Sequence, residues 1–130
     1  MKRMITDKLV SWKDSKRRKP LLLTGVRQCG KTYSLKAFGH DYFENTVYVN
    51  FEESGKLSSI FDYDYDIERI LRELCLELKV SIQPGSTLLI LDEIQECPRA
   101  ITSLKYFCEN KADLHVIGAG SLLGVALRNS

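Results

Sequence analysis

The chain has 130 residues, of which 44% are hydrophobic and 28% are charged, and its net charge is +2. Such a length and composition suit one globular domain with a buried core, and they exclude a membrane span, a repeat solenoid and a disulfide scaffold. Charge is distributed unevenly, because residues 1–19 hold eight Lys or Arg and two acids, whereas the remaining residues hold eleven and fifteen. The sequence therefore begins with a basic segment ahead of an acidic body.

Apolar spacing and turn residues divide the chain into alternating helices and strands. Ile5, Leu9 and Trp12 recur at helical spacing, whereas short apolar runs bounded by Gly or Pro indicate buried strands. The predicted elements are, in chain order, a helix over residues 2–16, a strand over 21–24, a helix over 31–38 ended by a left-handed Gly39, a strand over 47–51, a helix beginning at 66, a turn at 84–85, a strand over 87–91, a helix over 98–109, a strand over 114–117 and a helix beginning near 122. Because strands and helices alternate, we expect an α/β fold with a mostly parallel sheet and helices on both faces.

A glycine-rich segment between the first strand and the following helix matches the pattern G-x-x-x-x-G-K-[ST]. Gly25 and Gly30 allow the backbone to curl, so that consecutive N–H groups can point at phosphate oxygens. Lys31 would supply a cation to the β- and γ-phosphates, and Thr32 a hydroxyl ligand for Mg²⁺. The expected nucleotide-binding residues are Gly25, Val26, Arg27, Gln28, Cys29, Gly30, Lys31, Thr32 and Tyr33.

A second motif is the apolar strand over residues 87–91, which ends in two acids. Ligands bind at the carboxyl ends of parallel strands, so Asp92 is expected to hold the metal and Glu93 to activate the attacking water. Taken alone, the pattern also fits a strand that ends in a solvated acidic turn. Ser121, after the last predicted strand, is the candidate for a further catalytic contact with the γ-phosphate. Gln95 lies either near the nucleotide or in an exposed structural position.

These motifs, at residues 21–32, 91–100 and 120–127, resemble those of the prokaryotic AAA-type ATP-binding proteins. The resemblance implies a P-loop NTPase fold of AAA/ASCE type, a three-layer α/β sandwich with a mostly parallel sheet. It also implies ATP and Mg²⁺ as cofactors, hydrolysis of ATP, and a sensor role for Ser121.

Full-length members of this family continue with another strand, a helical lid and a C-terminal domain. The resemblance therefore implies an N-terminal ATPase core without its last strand and lid. We expect a basic helix and linker over residues 1–19 and the incomplete core over residues 20–130. The phosphate-loop strand would lie beside the strand that leads to Ser121, with its other edge unpaired, and no arginine finger is assigned.

The predicted function is that of an enzyme, an ATPase that produces ADP and phosphate and drives or gates a partner protein or a C-terminal domain. Two alternatives stay open. One is a nucleotide-binding regulatory or scaffold module with little hydrolysis, and the other is a nucleic-acid-associated module that uses the basic residues 2–19. The motifs are also compatible with a homo-oligomer.

The cysteines and the N-terminus carry no signal for metal, disulfides or export. Cys29, Cys75, Cys97 and Cys108 form no C-x-x-C pair and have no His at zinc spacing, so they are interpreted as isolated thiols in a reducing compartment. No apolar run is long enough for a signal core or a membrane span. We expect a cytoplasmic protein that does not associate with a membrane.

One run of acidic residues partly matches the sequence pattern of a calcium-binding loop. Asp62, Asp64, Asp66 and Glu73 occupy the acidic positions of that pattern, but Ile67 stands where its sharp turn needs Gly. The acids are therefore expected to cap the helix that follows, because negative charge is favourable at a helix N-terminus.

Overall fold

The strands and helices of the chain are known from a computed structural model that describes residues 2–15, 19–25, 31–53 and 55–121. The elements are α1 (Lys2–Lys13), β1 (Leu21–Gly25), α2 (Lys31–Tyr42), β2 (Asn45–Asn50), α3 (Gly55–Ile60), α4 (Ile67–Leu78), β3 (Thr87–Asp92), a 3-10 turn (Ile94–Glu96), α5 (Pro98–Asn110) and β4 (His115–Ser121). The strands form one sheet in the order β1-β4-β3-β2, and each neighbouring pair is parallel. The predicted α/β fold with a parallel sheet is confirmed.

The two faces of the sheet are covered by different helices. Leu89 and Leu91 of β3 belong to an apolar cluster that includes residues of α3, α4 and α5. Leu88 and Ile90 belong to a second cluster that includes residues of α1 and α2. Successive strand residues point to opposite faces of the sheet. Asp92 therefore lies on the same face as Leu88 and Ile90, the face against which α2 packs.

The basic first helix is packed against this second face. Leu9 of α1 is buried among sheet and α2 residues. The Trp12 ring meets His115 edge-on at a centroid distance of 5.4 Å, and its Nε1–H donates to the Lys19 carbonyl oxygen at 2.6 Å. The predicted helix is therefore present, although it ends at Lys13 rather than at residue 16. A nucleic-acid role for the segment and a domain boundary at residue 19 stay predictions.

Two further predicted elements end four residues later than expected. β4 does not end at residue 117 but continues through Gly118 to Ser121, pairing with β1 along its length. A side chain at Gly118 would crowd the sheet, because a Cβ there would lie 2.9 Å from Ile94 Cδ1. Within the described residues β1 pairs with β4 alone, as the expected strand order requires. The helix predicted near residue 122 lies outside the described residues.

Gly39 is the other wrong end, because α2 does not stop there and continues to Tyr42. The glycine is buried inside the helix, where α2 lies close to β2. A Cβ at Gly39 would lie 2.1 Å from Thr46 Oγ1, which is far inside van der Waals contact. Its small size, rather than a left-handed conformation, explains the residue.

Gly39→Ala is expected to lower the free energy of unfolding by about 1–3 kcal/mol, the usual cost of overpacking a well-packed site. Thr46→Ala in the same chain should recover part of that loss, because it removes the atoms closest to the added methyl group. Gly55→Ala is the matched control, since nothing lies within 4 Å of a Cβ at that position. Chemical denaturation measures the free energy of unfolding of each variant. Equal denaturation midpoints for Gly39→Ala and Gly55→Ala would contradict the packing argument.

None of the helices in the described ranges is both long enough and apolar enough to cross a membrane.

Candidate functional site

The candidate site lies where the carboxyl end of β3 meets the first turn of α2. Asp92 is the last residue of β3, and its exposed fraction is only 2%. Thr32 is the second residue of α2, and its hydroxyl donates to Asp92 Oδ2 at 2.7 Å. The fold thus brings together the end of the glycine-rich segment and the acidic strand end, which are 60 residues apart in sequence.

Two further donors fix the Asp92 carboxylate. The Tyr48 hydroxyl donates to the same Oδ2 atom at 2.6 Å, and the Glu93 backbone N–H donates to Oδ1 at 2.9 Å. Both carboxylate oxygens are therefore hydrogen-bonded by neutral donors. Hydrogen bonds to an ionised group are stronger than those between neutral groups, so this arrangement holds the carboxylate firmly.

Tyr48 comes from β2, the strand beside β3, and sequence analysis missed it. Burial, followed by the neighbouring Asp92 carboxylate, raises the pKa of the Tyr48 hydroxyl well above its ordinary value. The hydroxyl therefore keeps its proton at neutral pH and can act as a donor. The alternation of β2 was the available signal, because it places Tyr48 on the same face of the sheet as Asp92.

Glu93 follows Asp92 and leaves the strand with a left-handed backbone, at φ 51° and ψ 45°. Its Oε1 atom accepts a hydrogen bond of 2.7 Å from Gln95 Nε2. Gln95 Oε1 in turn accepts one of 3.3 Å from the Ser121 backbone N–H at the end of β4. Gln95 has an exposed fraction of 4%, so its interpretation as an exposed residue is wrong. One amide side chain links Glu93 to the strand end that carries Ser121.

The glycine-rich segment itself is only partly described. Gly25 ends β1 and Lys31 begins α2, but the side chain of Lys31 lies outside the described atoms. Tyr33 is 61% exposed. The predictions made for Val26, Arg27, Gln28, Cys29 and Gly30 lie outside the described residues.

The donor set at Asp92 suits a small hard cation. Thr32 offers a hydroxyl oxygen and Asp92 a carboxylate, and both are oxygen ligands of the kind that Mg²⁺ prefers. Mg²⁺ commonly uses only one or two protein oxygens, together with phosphate oxygens and water. The finding that no group of three or more His, Cys, Asp or Glu in the described part of the chain could hold a metal is compatible with such a site.

The acidic run before α4 serves the helix, as predicted. The Asp66 side chain caps α4 by accepting the Arg69 backbone N–H at 3.3 Å. The Arg69 guanidinium donates to Asp64 Oδ1 at 2.8 Å and also to the Glu73 carboxylate. The Asp66 backbone N–H, followed by the Arg69 guanidinium, lowers the pKa of the Asp64 carboxyl.

A parallel sheet whose first strand leads through G-x-x-x-x-G-K-T into a helix is typical of P-loop nucleotide-binding proteins. The family model described as AAA domain matches residues 17–130, and the chain therefore belongs to the AAA domain family. Membership confirms the predicted AAA-type resemblance and a nucleotide-binding module. A search of curated proteins found no match.

Proposed function

We propose that this AAA domain binds ATP and hydrolyses it to ADP and phosphate with the help of Mg²⁺. The observation that carries the proposal is the 2.7 Å hydrogen bond between Thr32 and Asp92. It brings two oxygen side chains together at the carboxyl end of the sheet, immediately beside the segment with the phosphate-binding pattern. Family membership supports the nucleotide.

Binding of the phosphates would fall to the backbone N–H groups of residues 25–30 and to the ammonium group of Lys31. Thr32 and Asp92 would hold the metal, either directly or through its water ligands. Mg²⁺, when bound, neutralises charge on the β- and γ-phosphate oxygens. The Thr32 hydroxyl proton already points at Asp92, so the lone pairs of its oxygen remain available for a cation.

Glu93 is the proposed residue that orients the attacking water and accepts its proton. Glu93 directly follows the buried Asp92, and its Oε1 atom accepts a hydrogen bond from Gln95 Nε2. Ser121 ends the neighbouring strand and is the proposed sensor of the γ-phosphate. Both roles depend on a substrate in the site, so phosphate release is the measurement that tests them.

A second candidate function is nucleotide binding with little hydrolysis, in a regulatory or scaffold module. The contact between Glu93 and Gln95 favours it, because an amide bonded to the carboxylate competes with the water for the same oxygen. Phosphate release and ATP affinity measured on one preparation separate the two functions. Tight ATP binding with a phosphate release rate equal to that of Glu93→Gln would favour the second.

Coupling to a partner is part of the proposal. ATP hydrolysis by the domain would drive or gate a partner protein, a further domain or a second copy of the chain. A change in the mass of the particle between ATP and ADP, measured by analytical ultracentrifugation, would support assembly with further copies.

A further inference from the structure

We infer that Tyr48 is a positioning residue of the metal site, acting through the Asp92 carboxylate. The inference rests on the proposed function, because it concerns how Asp92 is prepared for Mg²⁺. Tyr48 belongs to β2, and that strand contains neither of the two predicted motifs, the glycine-rich segment and the acidic strand end. The inference therefore adds a third element to the site.

Tyr48 and Thr32 share one acceptor. Their hydroxyl groups donate to Asp92 Oδ2 at 2.6 Å and 2.7 Å, while Oδ1 accepts the Glu93 N–H. The three donors come from β2, from α2 and from the residue that follows β3, and together they hold the carboxylate in one orientation. A carboxylate held in this way needs little rearrangement when a cation and its waters arrive.

A neighbouring amide, Asn50, also contacts the Tyr48 hydroxyl group. Asn50 Oδ1 accepts the Glu52 backbone N–H at 2.9 Å, which turns the amide so that its Nδ2 faces Tyr48. Asn50 Nδ2 then donates to the Tyr48 oxygen at 3.4 Å. The Asp92 carboxylate can only accept, so the Tyr48 hydroxyl donates to it, while the Tyr48 oxygen accepts from Asn50.

The ring of Tyr48 is held in place independently of its hydroxyl group. The ring packs with the apolar cluster on the α2 face of the sheet, and Lys36 Nζ lies 3.9 Å from its centroid. Phenylalanine would keep both contacts, because they involve only the ring. Tyr48→Phe therefore removes the hydrogen bond to Asp92 and leaves the packing in place.

The test is the Mg²⁺ dependence of ATP binding by Tyr48→Phe, measured by calorimetry with the whole chain. In the presence of EDTA, metal-free ATP should bind wild type and variant within about twofold of each other, since the phosphate-binding residues are intact. The Mg²⁺ concentration that half-maximally enhances ATP binding should rise by about 10–100-fold, the usual effect of losing a residue that orients a metal ligand. Tyr42→Phe, on the exposed end of α2, is the control and should leave both values unchanged.

A double-variant comparison separates positioning from a general structural role. If Tyr48 acts through Asp92, Tyr48→Phe should change the Mg²⁺ requirement by less than about twofold in an Asp92→Asn chain, because coupled residues are not additive. An undiminished effect in that chain would overturn the inference. Asn50→Ala is a second variant, which leaves the tyrosine itself intact, and should raise the Mg²⁺ requirement several-fold by releasing the Tyr48 hydroxyl.

The outcomes also separate this inference from the proposed function. An equal Mg²⁺ requirement for wild type and Tyr48→Phe, with Mg²⁺-enhanced ATP binding intact in both, would overturn the role of Tyr48 alone. Absence of any ATP binding by the wild-type chain would overturn the proposed function, and the role of Tyr48 with it.

Discussion

Alanine in place of Lys31 is expected to weaken ATP binding by about thirtyfold or more. Removing one partner of a charge pair that is shielded from water costs about 2–5 kcal/mol, and each 1.4 kcal/mol corresponds to a factor of ten in affinity. Lys31 begins α2, where the helix dipole also favours an anion. The ammonium group and the helix N-terminus would therefore act on the same phosphates.

Calorimetry with ATP and Mg²⁺ measures this loss. Lys56→Ala is a suitable control, because that lysine is exposed on α3 and, within the described residues, forms a long ion pair of 3.9 Å with Glu77. The control should bind ATP like the wild type. Equal affinity of wild type and Lys31→Ala would refute the assignment of residues 25–32 to phosphate binding.

Glu93→Gln should leave ATP binding nearly unchanged and reduce phosphate release by about 10²–10⁴-fold. This range is the usual contribution of a positioned general base, and the amide keeps the size of the side chain while losing its basicity. The Gln95 contact should survive, since the new amide oxygen can still accept from Gln95 Nε2. Retained binding together with lost turnover is the expected signature.

The control for this variant is Glu96→Gln. Glu96 lies three residues after Glu93, at the end of the 3-10 turn, and is exposed to solvent. The control makes the same chemical change away from the Asp92 carboxylate, so its rate should match that of the wild type. A Glu93→Gln chain that released phosphate at the wild-type rate would require another residue as the base.

Sequence predicted the fold well because its strongest signals are local. The apolar run of β3 is buried at every position, and Pro98 begins α5 as its fixed φ favours. The meeting of Thr32 and Asp92 was also predictable, because both motifs lie at the carboxyl edge of a parallel sheet.

The errors and omissions arose from contacts between distant segments. Tyr48 reaches Asp92 only because β2 and β3 pair with Asn50 opposite Asp92, a register that no local pattern specifies. Gly39 resembled a helix cap, and only the position of Thr46 across the α2–β2 contact explains why the helix passes through it. Gln95 likewise needed the end of β4 to reveal its buried position.

Trp12 gives the molecule an internal optical probe, because it is the single tryptophan of the chain. Its ring touches His115, the first residue of β4, which is paired with Leu88 of β3. Asp92 of the candidate site lies four residues further along β3, about 13 Å away at the usual rise per residue. Its fluorescence should therefore respond to detachment of α1 or to unfolding, and not to nucleotide. One emission spectrum can then establish that each variant is folded before its affinity for ATP is interpreted.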